Sequence, residues 1–95
     1  TIAEGLAAPF VGELNLALVN EYVDELVRVS DEEMLEALWT ILDSCKILTE
    51  PSGAAGFAAL LFNKVKIPVG SEVVCILSGG NIDRFRLQSF FNFTK

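Results

Sequence analysis

The sequence contains no histidine, and its two cysteines, Cys45 and Cys75, are far apart and form no CxxC pair. Those absences remove the usual donor set of a zinc centre, so no metal ligand is assigned. Basic residues are also scarce, seven against thirteen acidic ones, for a net charge of −6. That balance argues against nucleic acid or an anionic membrane surface as a partner. No apolar run approaches the roughly 18 residues of a membrane span. The N-terminus lacks the basic start of a signal peptide, so the expected location is the cytoplasm. In that reducing setting both cysteines, which sit in apolar context, are expected to be buried free thiols rather than a disulfide. The chain opens on Thr1 rather than Met, and is expected to be a piece of a longer polypeptide.

What the chain does have is apolar residues, 52% of the total against 21% charged. A domain this small keeps much of its surface in water and does not need so many, which points to missing neighbours. Charge is uneven along the chain. Residues 1 to 50 hold most of the acids and only Arg28 and Lys46 as bases, while Glu72 and Asp83 are the only acids that follow. The acidic excess falls on predicted helix surfaces and reads as a solvated face.

The most informative stretch is Val73-Val74-Cys75-Ile76-Leu77 running into Ser78-Gly79-Gly80-Asn81. Apolar, mostly β-branched residues without polar alternation predict a strand buried on both faces, as in a parallel sheet. Ligands in open α/β sheets sit beyond the carboxyl ends of strands, where glycines let the backbone come close to a bound molecule. Gly79-Gly80 reads equally well as a tight turn into the last helix.

The remaining elements are read from their periods and caps. Leu14, Ala17, Leu18 and Tyr22 predict an amphipathic helix ending near Tyr22. Leu26-Val27-Arg28-Val29 is short and β-prone, and predicts a strand. Ser30 and Glu33 form a capping box, followed by Leu35, Leu38, Leu42 and Cys45 at helical spacing, with Trp39 expected in the core. Pro51 suits a first helical position, and the helix it opens is expected to run to about Asn63. Its small residues, Gly53 to Gly56, Ala58 and Ala59, make a thin face for close packing. Asp83 caps a last helix carrying Phe85, Leu87, Phe90, Phe91 and Phe93. On these readings Glu50 is a cap or surface acid and Ser78 a turn serine.

Taken together, Thr1-Ile2-Ala3-Glu4-Gly5, Val23-Asp24 leading to Val27 and Val29, Glu50-Pro51-Ser52-Gly53-Ala54-Ala55 and Leu77-Ser78-Gly79-Gly80-Asn81 carry a resemblance. The sequence resembles the C-terminal third of the PLP-dependent threonine dehydratase and serine racemase family, of fold type II. The resemblance fades after Asp83, and Glu4 stands where the family more usually has Asp. It implies an α/β fold in which residues 1–95 are a single C-terminal portion of the PLP-binding large domain. At least two parallel-type strands, 26 to 29 and 73 to 77, and four helices are expected. It also implies PLP as cofactor, with the Ser78 hydroxyl bonded to the pyridine nitrogen and Gly79 and Gly80 against the ring. Asn81 would fix the loop, and Glu50, with Gly53 on the next turn, would lie near the cofactor face.

The implied reaction is deamination of L-threonine or L-serine to the 2-oxo acid and ammonia, with serine racemisation the alternative. The implied partners are the N-terminal remainder of the same enzyme, a small amino-acid substrate and further copies in a homo-oligomer. Lys46, Lys64, Lys66 and Lys95 match none of the family's lysines, so the covalent lysine lies upstream and this chain alone is expected to be inactive. A non-catalytic interaction module using the apolar helices and the Phe-rich tail is the reading from another class.

Overall fold

Helix α2 (Asp31–Cys45) is the centre of the computed structural model, which describes residues 1–92. It starts where the local chemistry dictates. The Ser30 side chain accepts from the Glu33 backbone N–H at 3.1 Å, and the Glu33 carboxylate accepts from the Ser30 N–H at 2.7 Å. Two backbone donors that a helix start leaves open are thereby satisfied, and Asp31, Glu32 and Glu33 add negative charge at the positive end of the helix dipole. The helix stops at Lys46, which takes the left-handed conformation at φ 59° and returns its N–H to the Leu42 carbonyl at 3.0 Å.

One face of α2 carries the core. Met34, Leu35, Ala37, Leu38 and Ile41 are buried along it, and Ala3, Ala54 and Ala58 close over them. The small residues are what permit that approach. Pro51–Ala54 forms a 3-10 turn and Ala55–Leu61 forms helix α3, and both lie against α2. The predicted continuous helix from Pro51 is therefore two pieces, since Pro51 at the first position starts a tighter turn before the α-helical hydrogen bonds take over at Ala55. Asn63, at φ 55°, and the bond from Lys64 N–H to the Ala59 carbonyl at 2.8 Å end α3.

Helix α1 (Glu13–Tyr22) ends at Tyr22 as expected but buries none of its residues, and Leu14, Leu16 and Leu18 stay exposed. Helix α4 (Arg84–Phe90) begins at Asp83, whose carboxylate accepts from the Arg86 N–H at 2.8 Å, as its cap role requires. Phe90 is buried, and Phe91 stacks on Trp39 with ring centroids 5.0 Å apart. Trp39 is thus half-buried under an aromatic partner rather than enclosed in the core. Phe93 lies outside the described residues. No described helix is long and apolar enough to cross a membrane.

Several expectations are corrected. Among the described residues there is no strand, neither at 26 to 29 nor at 73 to 77. A strand is defined by its hydrogen-bonded neighbour, and neither segment has a ladder beside it. Val74 and Ile76, expected on a doubly buried strand, are 90% and 79% exposed. Cys45 is exposed and Cys75 only half-buried, though both are free thiols. Burial along α2 ends at Ile41, so its last turn, with Cys45, projects past the elements that cover it. The N-terminal segment contains a 3-10 turn at Glu4–Leu6 and buries Ala3. The radius of gyration is 14.3 Å, against roughly 12 Å for a compact domain of this length.

Candidate functional site

The chain after α2 and the glycine loop before α4 are pressed together, and the contact is backbone on backbone. Glu50 is extended at φ −83°, ψ 164°, and donates its N–H to the Gly79 carbonyl at 3.1 Å. Gly53 then donates to the Glu50 carbonyl at 3.0 Å, turning the chain into the 3-10 segment. A Cβ on Gly53 would sit 1.8 Å from the Ser78 carbonyl oxygen, and one on Gly80 would sit 2.8 Å from the Leu48 carbonyl oxygen. Neither contact leaves room for a side chain. Gly79, at φ 74°, has a left-handed conformation that favours glycine, and a Cβ there would fall 2.1 Å from Glu50 Oε1.

Five of the six residues singled out from the sequence, Glu50, Gly53, Ser78, Gly79 and Gly80, therefore meet in one corner. Asn81 joins them across a cleft of about 80 Å³ that Glu50, Ser52, Asp83, Glu4 and Arg86 also line. The glycines are explained by the chain itself. What fills the space beside Gly53, Gly79 and Gly80 is backbone and the half-buried Glu50 side chain. Thr49, next to Glu50, is buried with no hydrogen-bond partner for its hydroxyl among the described residues.

No local sequence signal points to Arg86. Its Nη2 donates to the Ile2 carbonyl at 2.7 Å, its Nη1 pairs with the Glu4 carboxylate, and its guanidinium lies over the Phe90 ring at 5.6 Å. The Ile2 partner is 84 positions away, so no local pattern announces the contact. From the other side, Asp31 at the start of α2 accepts from the Thr1 hydroxyl and from the Ile2 N–H, the latter at 3.2 Å. Residues 1 to 4 are thereby held between α2 and α4.

The donor set of this corner suits part of a flat heteroaromatic cofactor. An exposed serine hydroxyl at the mouth of the loop can donate to a ring nitrogen, and among the described residues nothing else engages it. Three acidic residues, Glu4, Glu50 and Asp83, and one base, Arg86, line the cleft. A phosphate dianion has no place among them, so the cleft does not suit the phosphate of such a cofactor. No group of three or more metal-ligating side chains occurs among the described residues.

Comparison with known proteins places the chain in a class. It belongs to the pyridoxal-phosphate-dependent enzyme family, a fold type II family whose model matches residues 1–79. The curated relatives it resembles include an L-threonine ammonia-lyase of Thermotoga maritima, 43% identical over 97% of this chain and 22% of the relative. An L-threo-3-hydroxyaspartate ammonia-lyase of Saccharomyces cerevisiae is 38% identical over 97% of this chain and 28% of the relative. A serine racemase of Schizosaccharomyces pombe is 35% identical over the same shares. The chain thus spans about a quarter of the length of these relatives. No solved structure gives a significant match.

Proposed function

We propose that this chain is the C-terminal part of the large domain of a PLP-dependent ammonia-lyase, and that the whole enzyme converts L-threonine or L-serine to the 2-oxo acid and ammonia. The family match supports the cofactor. The relatives' names support the substrate class, because threonine, 3-hydroxyaspartate and serine are all 2-amino acids with a hydroxyl on the β-carbon. When bound, PLP supplies an electron sink for the α-carbon.

The observation that carries the reading is the exposed Ser78 hydroxyl at the head of a loop clamped between Glu50 and Gly53. A neutral hydroxyl donates a hydrogen bond to the pyridine nitrogen but cannot hold a proton on it as a carboxylate partner would. Electron withdrawal stays mild. That suits elimination, in which charge at the α-carbon leaves with the β-hydroxyl instead of accumulating. Gly79 and Gly80 let the loop lie against Leu48 and Glu50, and Asn81 and Glu50 border the cofactor face. The covalent lysine and the phosphate site belong to the remainder of the polypeptide, which also covers the exposed Val74 and Ile76 and supplies the neighbours with which 26 to 29 and 73 to 77 would pair as strands. The chain alone is accordingly inactive, and the working enzyme is a homo-oligomer.

Racemisation of serine is the second reading, favoured by the serine racemase relatives. The two separate by product: 2-oxo acid and ammonia, or D-serine. The test of the site is Ser78→Ala in the whole enzyme. PLP affinity or turnover should fall roughly tenfold, the scale of one lost hydrogen bond to a charged or strongly polar group. Wild-type values for both would remove Ser78 from the cofactor.

A further inference from the structure

The loop from Ser78 to Asp83 has few holds of its own. Its internal bond runs from Ile82 N–H to the Gly80 carbonyl at 3.0 Å, and Glu50 N–H holds Gly79 from one side. Beyond Asp83 the loop is continuous with α4, so where α4 sits decides where the loop ends. Two anchors fix α4. One is apolar, the buried Phe90 and the Phe91 stack on Trp39. The other is Arg86.

We infer that Arg86 is the positioning residue for the candidate cofactor loop, fixing Ser78 to Asp83 by locking α4 onto residues 2 to 4. The inference rests on the reading of Ser78 given above. An ion pair this open to solvent is worth little by itself, since the Glu4 side chain is 79% exposed. Arg86 does more than pair. Its fork reaches a main-chain carbonyl and a carboxylate at once while its flat face covers Phe90, and three simultaneous contacts fix the direction of the helix as well as its distance. The carbonyl it takes, that of Ile2, belongs to the segment that Asp31 ties to α2. Arg86 therefore refers the loop back to α2, the helix that carries the core. A lysine in its place has a point charge and no planar fork, and meets Glu4 without also meeting Ile2 and Phe90.

The test is made in the whole enzyme with Arg86→Ala and Arg86→Lys. For Arg86→Ala, PLP dissociation measured by cofactor fluorescence should rise roughly tenfold. In the cofactor-free enzyme, amide hydrogen exchange at residues 78 to 83 should quicken while exchange in α2 stays as it was. Arg86→Lys should recover part of both effects. Wild-type PLP affinity together with wild-type exchange at 78 to 83 overturns the inference. Should Arg86→Ala fail to fold, the same two readouts on Arg86→Lys decide it, and wild-type values again overturn it.

Ser78→Ala separates the two claims. A cofactor defect in Ser78→Ala with none in Arg86→Ala refutes the positioning role and leaves the site standing. Wild-type PLP binding in Ser78→Ala with faster loop exchange in Arg86→Ala supports the positioning role and refutes the serine's contact.

Discussion

Gly53 tolerates no side chain, and its neighbour in space is a carbonyl that cannot step aside without moving the loop. Gly53→Ala should destabilise the whole enzyme by about 1–3 kcal/mol, the usual cost of overpacking, and should also weaken PLP binding because the displaced carbonyl belongs to Ser78. A thermal melt and a cofactor titration check the two halves separately. Thr49 makes the opposite case. Its buried hydroxyl has no partner among the described residues, and an orphaned polar group costs about 1–3 kcal/mol. Thr49→Val should raise the melting temperature; a lower one would show that the hydroxyl has a partner in the whole enzyme. At this scale the sequence was half legible. The Ser-Gly-Gly-Asn motif marked residues that the fold brings up against Glu50 and Gly53, but the reason for the glycines lies in Leu48, Glu50 and Ser78 crossing them, a contact between segments about thirty residues apart.

Elements were readable where their signals are local. The capping box of α2 spans four residues, and so does the cap of α4, and both form as the residue types require. Ser30→Ala should cost about 1 kcal/mol by chemical denaturation. Glu33 has a second task, because Lys64 beyond α3 pairs with it at 2.9 Å. The bond from Lys64, and after it the Ser30 N–H, hold the Glu33 carboxyl below the ordinary glutamate range. A carboxyl whose folded pKa is lowered takes up its proton more readily when unfolded. Its contribution is therefore complete above the unfolded glutamate value and is lost as pH falls through the folded one. The melting temperature of the wild type should drop more steeply on acidification than that of Glu33→Gln. Equal slopes would mean that the carboxylate adds nothing beyond its shape. Strands were not legible in the same way, since Val73 to Leu77 has the composition of a strand but no ladder partner among the described residues.

At the scale of the molecule, the apolar surface is the dominant fact. Phe10, Leu26, Val74, Ile76 and Phe85 are all exposed, and α1 buries nothing. Prepared by itself, the 95-residue chain should bind a hydrophobic dye and form heterogeneous aggregates, while the whole enzyme should bind little dye and elute as one defined oligomer. Size-exclusion chromatography with dye fluorescence measures both. This excess was visible in composition alone, as an apolar fraction too high for so small a domain. What composition does not show is which faces stay open, because that depends on how α2, α3 and the 3-10 turn use up the small residues first.

Arg86 meets Ile2, so the stretch of chain between them enters and leaves at a single place. A block whose two junctions are side by side can be lifted out and replaced without altering the distance that its surroundings must bridge. Residues 2 to 86 are thus a natural cassette for building chimaeras between this protein and the ammonia-lyases or racemases it resembles. Because the proposed cofactor loop travels inside the cassette with α2, such exchanges would ask whether the proposed choice between elimination and racemisation moves with this stretch or stays behind with the rest.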